Sequence, residues 1–233
     1  RGGDWSSDVC SSDLPLLDLN IFKNSLFSIS IVCAFITFVA ISASNIILPF
    51  YFQYAKNLSP AVTGLLMMVS PIVLAVVAPF SGYLSDKIGS LILTLFGLVF
   101  SSVGFLLIAT LNVKSSLIFL MIFIVIMTIG NGMFQSPNTS LIMSTVTKNK
   151  LGIAGSINAL VRNVGMVSGT TLATLLLYNR MSHKIGYRVI DYVNGRADVF
   201  MYGMRYVYLF AGIISVIGAV IKIGRASCRE RVS

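Results

Sequence analysis

The chain has 233 residues, 56% of them hydrophobic and only 11% charged, whereas an ordinary soluble domain carries about a quarter charged residues. Its mean hydropathy is +0.88 and its formal net charge is +9. These values exclude an ordinary water-soluble domain and indicate a membrane protein whose excess base suits anionic lipid without naming a ligand.

The two ends read differently from the middle. "DWSSDVCSSDL" (4–14) and "IGRASCRERV" (223–232) look like conceptual translations of sequencing-adapter oligonucleotides, so residues 1–14 and 223–233 are set apart from the fold as scars. The first residue is Arg1, which leads us to expect an open reading frame cut at both ends. Setting the ends aside removes Cys10 and Cys228 and leaves Cys33 alone, so neither a disulfide nor a cysteine metal site is expected. It also removes Arg225, Arg229 and Arg231, so no nucleic-acid partner is expected. Residues 15–222 carry 13 Lys and Arg against Asp18, Asp86, Asp191 and Asp198, again +9.

A transmembrane helix needs roughly 20 mostly apolar residues, and in hydrocarbon the backbone must satisfy its own hydrogen bonds. Residues 24–55, 57–85, 88–113 and 115–147 contain no charged side chain. The run 151–179 is interrupted only by Arg162, and 206–221 extends back past Arg205. The fold class expected is an all-α membrane protein of six transmembrane helices, with spans at about 26–52, 61–84, 90–111, 116–143, 153–178 and 204–222. Short links make consecutive spans antiparallel neighbours. The exception is 180–203, a long loop whose surroundings hold Tyr187, Tyr192, Tyr202, Tyr206 and Tyr208, suited to an interfacial belt. Loop charge does not decide orientation. One side would carry Lys23, Lys87, Lys148, Lys150 and Lys222, the other Lys56, Lys114, Arg180, Lys184, Arg188 and Arg196.

Polar groups inside the spans are costly and usually face a bundle interior or a watery cavity. Amides occur in span one (Asn45, Gln53), span four (Asn131, Gln135, Asn138) and span five (Asn158, Asn163), and in no other span. Thr128, Asn131, Gln135 and Asn138 step by three, four and three residues, which places them in one arc of a helix. Span five repeats the pattern with Gly155, Asn158, Arg162, Gly165 and Gly169, the last two forming a GxxxG. Asn45 shares a face with Ser42 and Gln53. Two readings stand side by side: an aqueous substrate pathway, or interhelical amide bonds of about 0.6–2 kcal/mol each that line nothing. Arg162 is likewise either a functional charge or an anchor that snorkels to the surface. Pro49, Pro71, Pro79 and Pro137 are expected to bend their helices.

No catalytic residues, cofactor or metal are expected, since the spans lack the histidine, acid and paired nucleophile such chemistry needs. Between spans two and three lies "GYLSDKIG". There Gly82 permits close helix approach, Asp86 can meet a helix N-terminus or an arginine, Lys87 follows, and Gly89 allows a tight turn. The four residues suit a gating latch.

The segments 58–89, 130–143 ("GNGMFQSPNTSLIM"), 151–165 ("LGIAGSINALVRNVG") and 15–24 ("PLLDLNIFKN") together resemble the C-terminal half of a fourteen-helix drug/proton antiporter of the major facilitator superfamily. The loop signature departs at Ser90 and Leu91, where the fuller form is basic. The resemblance implies a multi-pass cell-membrane transporter with both ends of the half cytoplasmic. It implies first and fourth helices that line a cavity, second and fifth that meet a missing N-terminal half, and third and sixth that pack outside. It further implies alternating access driven in the full-length parent by a proton gradient, with the lipid bilayer and amphiphilic or hydrophobic small molecules as partners. Asn45, Thr128, Asn131, Gln135 and Asn138 would line the substrate pathway, and Met67 and Met68 could offer drugs an apolar surface. Asn158, Arg162, Gly165 and Gly169 would form the inter-half interface. No acid lies within a span, so the coupling carboxylate is expected elsewhere. The alternatives are an inactive incomplete fragment and a passive six-helix channel.

Overall fold

The computed structural model describes the backbone of residues 19–189 and 196–230, and the side chains of 21–189 and 196–224. Within these residues all the regular secondary structure is helical, with six candidate spans at Ser25–Ala55, Pro60–Ile88, Ser90–Ala109, Leu117–Ser144, Lys148–Ile185 and Ala197–Gly224.

A short 3-10 turn, Leu19–Lys23, leads into α1 (Ser25–Phe50), which Asn24 caps by accepting from the Leu26 amide. Its apolar run carries a proline, Pro49, and ends in a π-helical turn, Tyr51–Ala55. Asn57 then takes a left-handed φ of 52°, and the chain reverses. Span two is two helices, α2 (Pro60–Met67) and α3 (Val69–Ile88). The break at Met68 has a local cause. Pro71 lacks an amide hydrogen and its ring crowds the carbonyl of the residue four earlier, Met67. Gly89, at φ 98° and ψ 136°, joins α3 directly to α4 (Ser90–Ala109). Ser116 caps α5 (Leu117–Ser144), α6 runs Leu151–Ile185, and α7 runs Ala197–Glu230.

The long loop expected at 180–203 is shorter than the sequence reading. α6 continues through Arg180, His183 and Lys184 to end at the left-handed Gly186, and α7 begins at Ala197. Tyrosine and cation pairs hold these added turns together: Arg180 lies 4.4 Å over the Tyr206 ring, and Tyr202 meets Tyr206 edge-on at 5.0 Å. The expected belt residue Tyr192 and the segment 1–14 lie outside the described residues. At the other end α7 continues as helical backbone past residue 222.

Two sets of contacts fix the antiparallel alternation. At one end Asn24 Nδ2 donates to the Thr145 carbonyl. At the other, Lys56 Nζ donates to the carbonyls of Val113 and Ser115. α4 packs most extensively on α5, α1 on α6 and α7, α4 on α7, and α3 on α5. Lipid tails are as apolar as leucine, so close backbone approach drives such packing. The α4/α5 pair illustrates it. A Cβ at Gly97 would come within 2.6 Å of the Phe134 amide nitrogen, one at Gly104 within 2.6 Å of Met127 Cα, and one at Gly130 would overlap the Ser101 backbone. The large core around Phe105, Tyr208, Tyr51 and Phe52 sits toward the Lys56 end, and a smaller one around Phe27, Ile31, Ile142 and Ile157 toward the Asp86 end. Span two is the least covered, with 6% of its most apolar window buried.

Candidate functional site

The polar stripe of span four faces into the bundle. Asn131, 5% exposed, accepts a 2.8 Å hydrogen bond at Oδ1 from the Ser101 hydroxyl of α4. Thr128 donates to Ser70 of α3 at 3.4 Å, and Ser81 of α3 donates to the Gly132 carbonyl at 3.1 Å. Asn138, 2% exposed, is held at both ends of its amide: Nδ2 donates to the Ser30 carbonyl of α1 at 3.1 Å, and Oδ1 accepts from Lys222 Nζ of α7 at 3.0 Å. These three side chains are therefore placed as interhelical ties, not on an open wall. Gln135, half-buried, and Asn45, exposed, are the two candidate pathway residues that the fold leaves accessible.

Lys222 is the residue that sequence reasoning misplaced. It was counted among the loop cations, yet it is 1% exposed, with its ammonium 5.2 Å from the Phe134 ring centre. Around it Cys33, Leu98, Phe134 and Ala219 form an apolar cluster from α1, α4, α5 and α7. Among the described residues its only hydrogen-bond partner is Asn138. One neutral amide and one ring face must therefore satisfy a group with three N–H donors. Nearby, the Ser30 hydroxyl is buried without a partner. Spans three and six, which carry no amides, supply Ser101 and Lys222 as partners for the amides of span four.

Span five divides its candidates between two surroundings. Gly165 and Gly169 are buried against α1, where a Cβ at Gly165 would lie 3.0 Å from Phe38 Cβ and one at Gly169 would overlap the Val39 carbonyl. Their close contact is with α1 of this bundle. Ser42 completes that seam. Its hydroxyl donates to the Met166 carbonyl and lies 2.7 Å from the Thr170 hydroxyl. Asn158 is half-buried, whereas Arg162 and Asn163 are exposed. Arg162 makes no hydrogen bond or ion pair among the described residues. It lies eleven residues into α6, hence roughly 16 Å along the helix axis.

The Asp86 loop joins α3 to α4. Gly82 lies opposite α5, where an added Cβ would stand 3.4 Å from the Ser136 hydroxyl, an ordinary contact that an alanine would also make. Gly89 holds a positive φ that other residues rarely adopt, and Ser85 and Ser90 hydroxyls bond across the turn at 2.8 Å. Lys87 folds its ammonium over the Tyr83 ring at 4.6 Å. Asp86 is exposed and has no ion-pair partner among the described residues.

A family model described as Major Facilitator Superfamily matches residues 30–227. Similar proteins include the riboflavin transporter RibZ of Clostridioides difficile (strain 630), 34% identical over 73% of this chain and 39% of the relative. The uncharacterized transporter YebQ of Escherichia coli (strain K12) is 30% identical over 72% of this chain and 36% of the relative. The lincomycin resistance protein LmrB of Listeria monocytogenes is 28% identical over 53% of this chain and 26% of the relative. The chain thus spans well under half the length of the curated relatives it matches. With six apolar helices of spanning length and a family match over most of its residues, the chain belongs to the Major Facilitator Superfamily, a family of transporters and not of enzymes, as a multi-pass integral protein of the cell membrane.

Proposed function

We propose that the chain forms one six-helix half of a secondary active carrier that exports amphiphilic or hydrophobic small molecules by alternating access. The observation that carries this reading is the uncovered face of α6, where Arg162 and Asn163 stand exposed about three turns into a membrane-spanning helix. A guanidinium is too costly to face lipid there, so that face belongs against water or a companion half. The poorly covered span two supports the same arrangement. Asn45 and Gln135 are the substrate contacts within this half. Thr128, Asn131 and Asn138 act from behind, keeping the pathway helix fixed to its neighbours. Asp86 of the Gly82 to Gly89 loop gates at the cytoplasmic side, with a partner in the companion half.

The proton-coupling carboxylate lies in the companion half, because no acid occupies the interior of these spans. The substrate class draws support from relatives named for riboflavin transport and lincomycin resistance, both small organic molecules. Residues 1–14 and 223–233 are assigned to adapter-derived sequence, and re-sequencing the locus tests that directly.

The test is transport by the intact parent in proteoliposomes under an imposed pH gradient, with a fluorescent amphiphilic cation as probe. Gradient-dependent export is expected, reduced at least about threefold by Asn45→Ala with Gln135→Ala, a loss on the scale of one hydrogen bond. Flux that ignores the gradient would instead identify a passive channel, and no flux from the intact parent would identify an inactive fold.

A further inference from the structure

We propose that the Lys114 end of the bundle carries a binding site for a phosphate-bearing ligand, the headgroup of an anionic phospholipid, in the cleft between the loop that follows α4, the last turn of α6 and the first turns of α7. A cavity of about 560 Å³ opens there. Lys114, Lys184 and Arg205 line it against a single acid, Asp198, and Leu111 and Met201 form an apolar floor. Asp198 is already engaged, 3.2 Å from Arg196 Nε and 3.6 Å from Lys184 Nζ. Lys114 and Arg205 make no hydrogen bond or ion pair among the described residues. Two uncompensated cations therefore converge on one cleft.

Three observations favour a lipid over a free anion. The cleft lies at the level of the Tyr202/Tyr206 pair, whose rings carry Lys184 at 5.1 Å and Arg180 at 4.4 Å. Such aromatic and cationic groups mark the headgroup layer. Arg205 heads a stripe on α7 that continues through Ile213, Val216 and Val220, each 43–60% exposed. Lys114 stands beyond the end of a matching stripe on α4, where Phe96, Phe100 and Val103 are 45–54% exposed. Spacings of three and four residues keep the apolar members of each stripe on one side of their helix, and Arg205 lies two turns before the first of them on α7. Acyl chains can lie along these apolar strips while the phosphate sits among the cations above. A free phosphate would use the cations and leave the strips without a role.

The test uses the full chain reconstituted in nanodiscs of equal parts phosphatidylglycerol and phosphatidylcholine, with retained phospholipid counted by native mass spectrometry. Preferential retention of phosphatidylglycerol is expected. Lys114→Gln with Arg205→Gln should reduce that preference about twentyfold, from roughly fivefold per cation near a headgroup. The charge-retaining pair Lys114→Arg with Arg205→Lys should keep it. Lys23→Gln with Lys148→Gln, at the opposite end, removes equal charge and should also leave it. Circular dichroism and elution profile establish that each variant is folded. If the Gln pair does not fold, Lys114→Gln alone should still reduce the preference about fivefold. Equal loss from the Lys23 and Lys148 pair would overturn the site in favour of general charge attraction. Displacement of the lipid by inorganic phosphate at matching concentration would reassign it to a free anion, and retention of both lipids alike would remove it.

Discussion

The Lys222/Asn138 contact makes a sharp quantitative prediction. Lys222→Met keeps the length of the stem against Phe134 and removes the ammonium, leaving Asn138 Oδ1 without a donor. Asn138→Leu removes the amide and leaves a buried ammonium with no hydrogen-bond partner among the described residues, and also removes the side-chain donor to the Ser30 carbonyl. A hydrogen bond to a charged group contributes about 1.5–3 kcal/mol in soluble proteins, whereas membrane cycles average about 0.6 and reach about 1.7. A charge-assisted bond at 1% exposure belongs at the upper end of the membrane range, so we expect a coupling of about 1.5 kcal/mol, roughly tenfold in the unfolding equilibrium. Asn138→Leu should be the more damaging of the two single changes, because the orphaned group is the charge. The double variant should recover most of that loss, since exchanging a whole buried polar pair for apolar groups is often neutral. Equilibrium unfolding of wild type, both single variants and the double variant in mixed micelles supplies the cycle. Additivity within about 0.4 kcal/mol, the range of independent sites, would refute the reasoning.

Other predictions follow from the packing and the exposed charges. Gly169→Val places a side chain into the Val39 carbonyl and should part α1 from α6, costing about 3 kcal/mol or more on thermal unfolding. By contrast Gly152→Ala, in the first turn of α6, meets nothing within 4 Å and should change stability by no more than about 0.5 kcal/mol. Gly89→Ala must hold a φ of 98° and should cost about 1–3 kcal/mol in the same assay. Arg162→Gln should leave the unfolding midpoint of the chain unchanged, because the guanidinium has no hydrogen-bond or ion-pair partner among the described residues. In the intact parent it should lower transport at least about tenfold while Arg162→Lys retains most of it.

The spans were legible because a bilayer imposes length and apolarity on each segment separately, and both can be read without knowing the neighbours. The Gly89 turn was legible for the same reason, as a property of a few consecutive residues. What could not be read is the rotation of each helix about its axis. Three- and four-residue spacing put Thr128, Asn131 and Asn138 in one arc, but whether that arc looked at a cavity or at α4 and α7 depended on packing. The α4/α5 approach is carried by Gly97, Gly104 and Gly130, glycines whose partners lie on another helix, more than twenty residues away in sequence. Lys222 was hidden by its position at the edge of an apolar run, where a lysine reads as a boundary. Its one visible signal was an amide stripe on span four in need of donors. The connection after span five was overestimated because charged and tyrosine-rich residues continue the helices by pairing with each other.

Spin labels placed on three faces of the intact parent test the central claim, that the α6 surface bearing Arg162 meets a companion lobe or water while the outer faces of α4 and α7 meet lipid. We predict that labels replacing Phe100 and Ile213 relax strongly with dissolved oxygen, as lipid-facing sites do, and that labels replacing Ala159 and Asn163 do not. Oxygen accessibility at Ala159 and Asn163 equal to that at Phe100 and Ile213 would contradict the account.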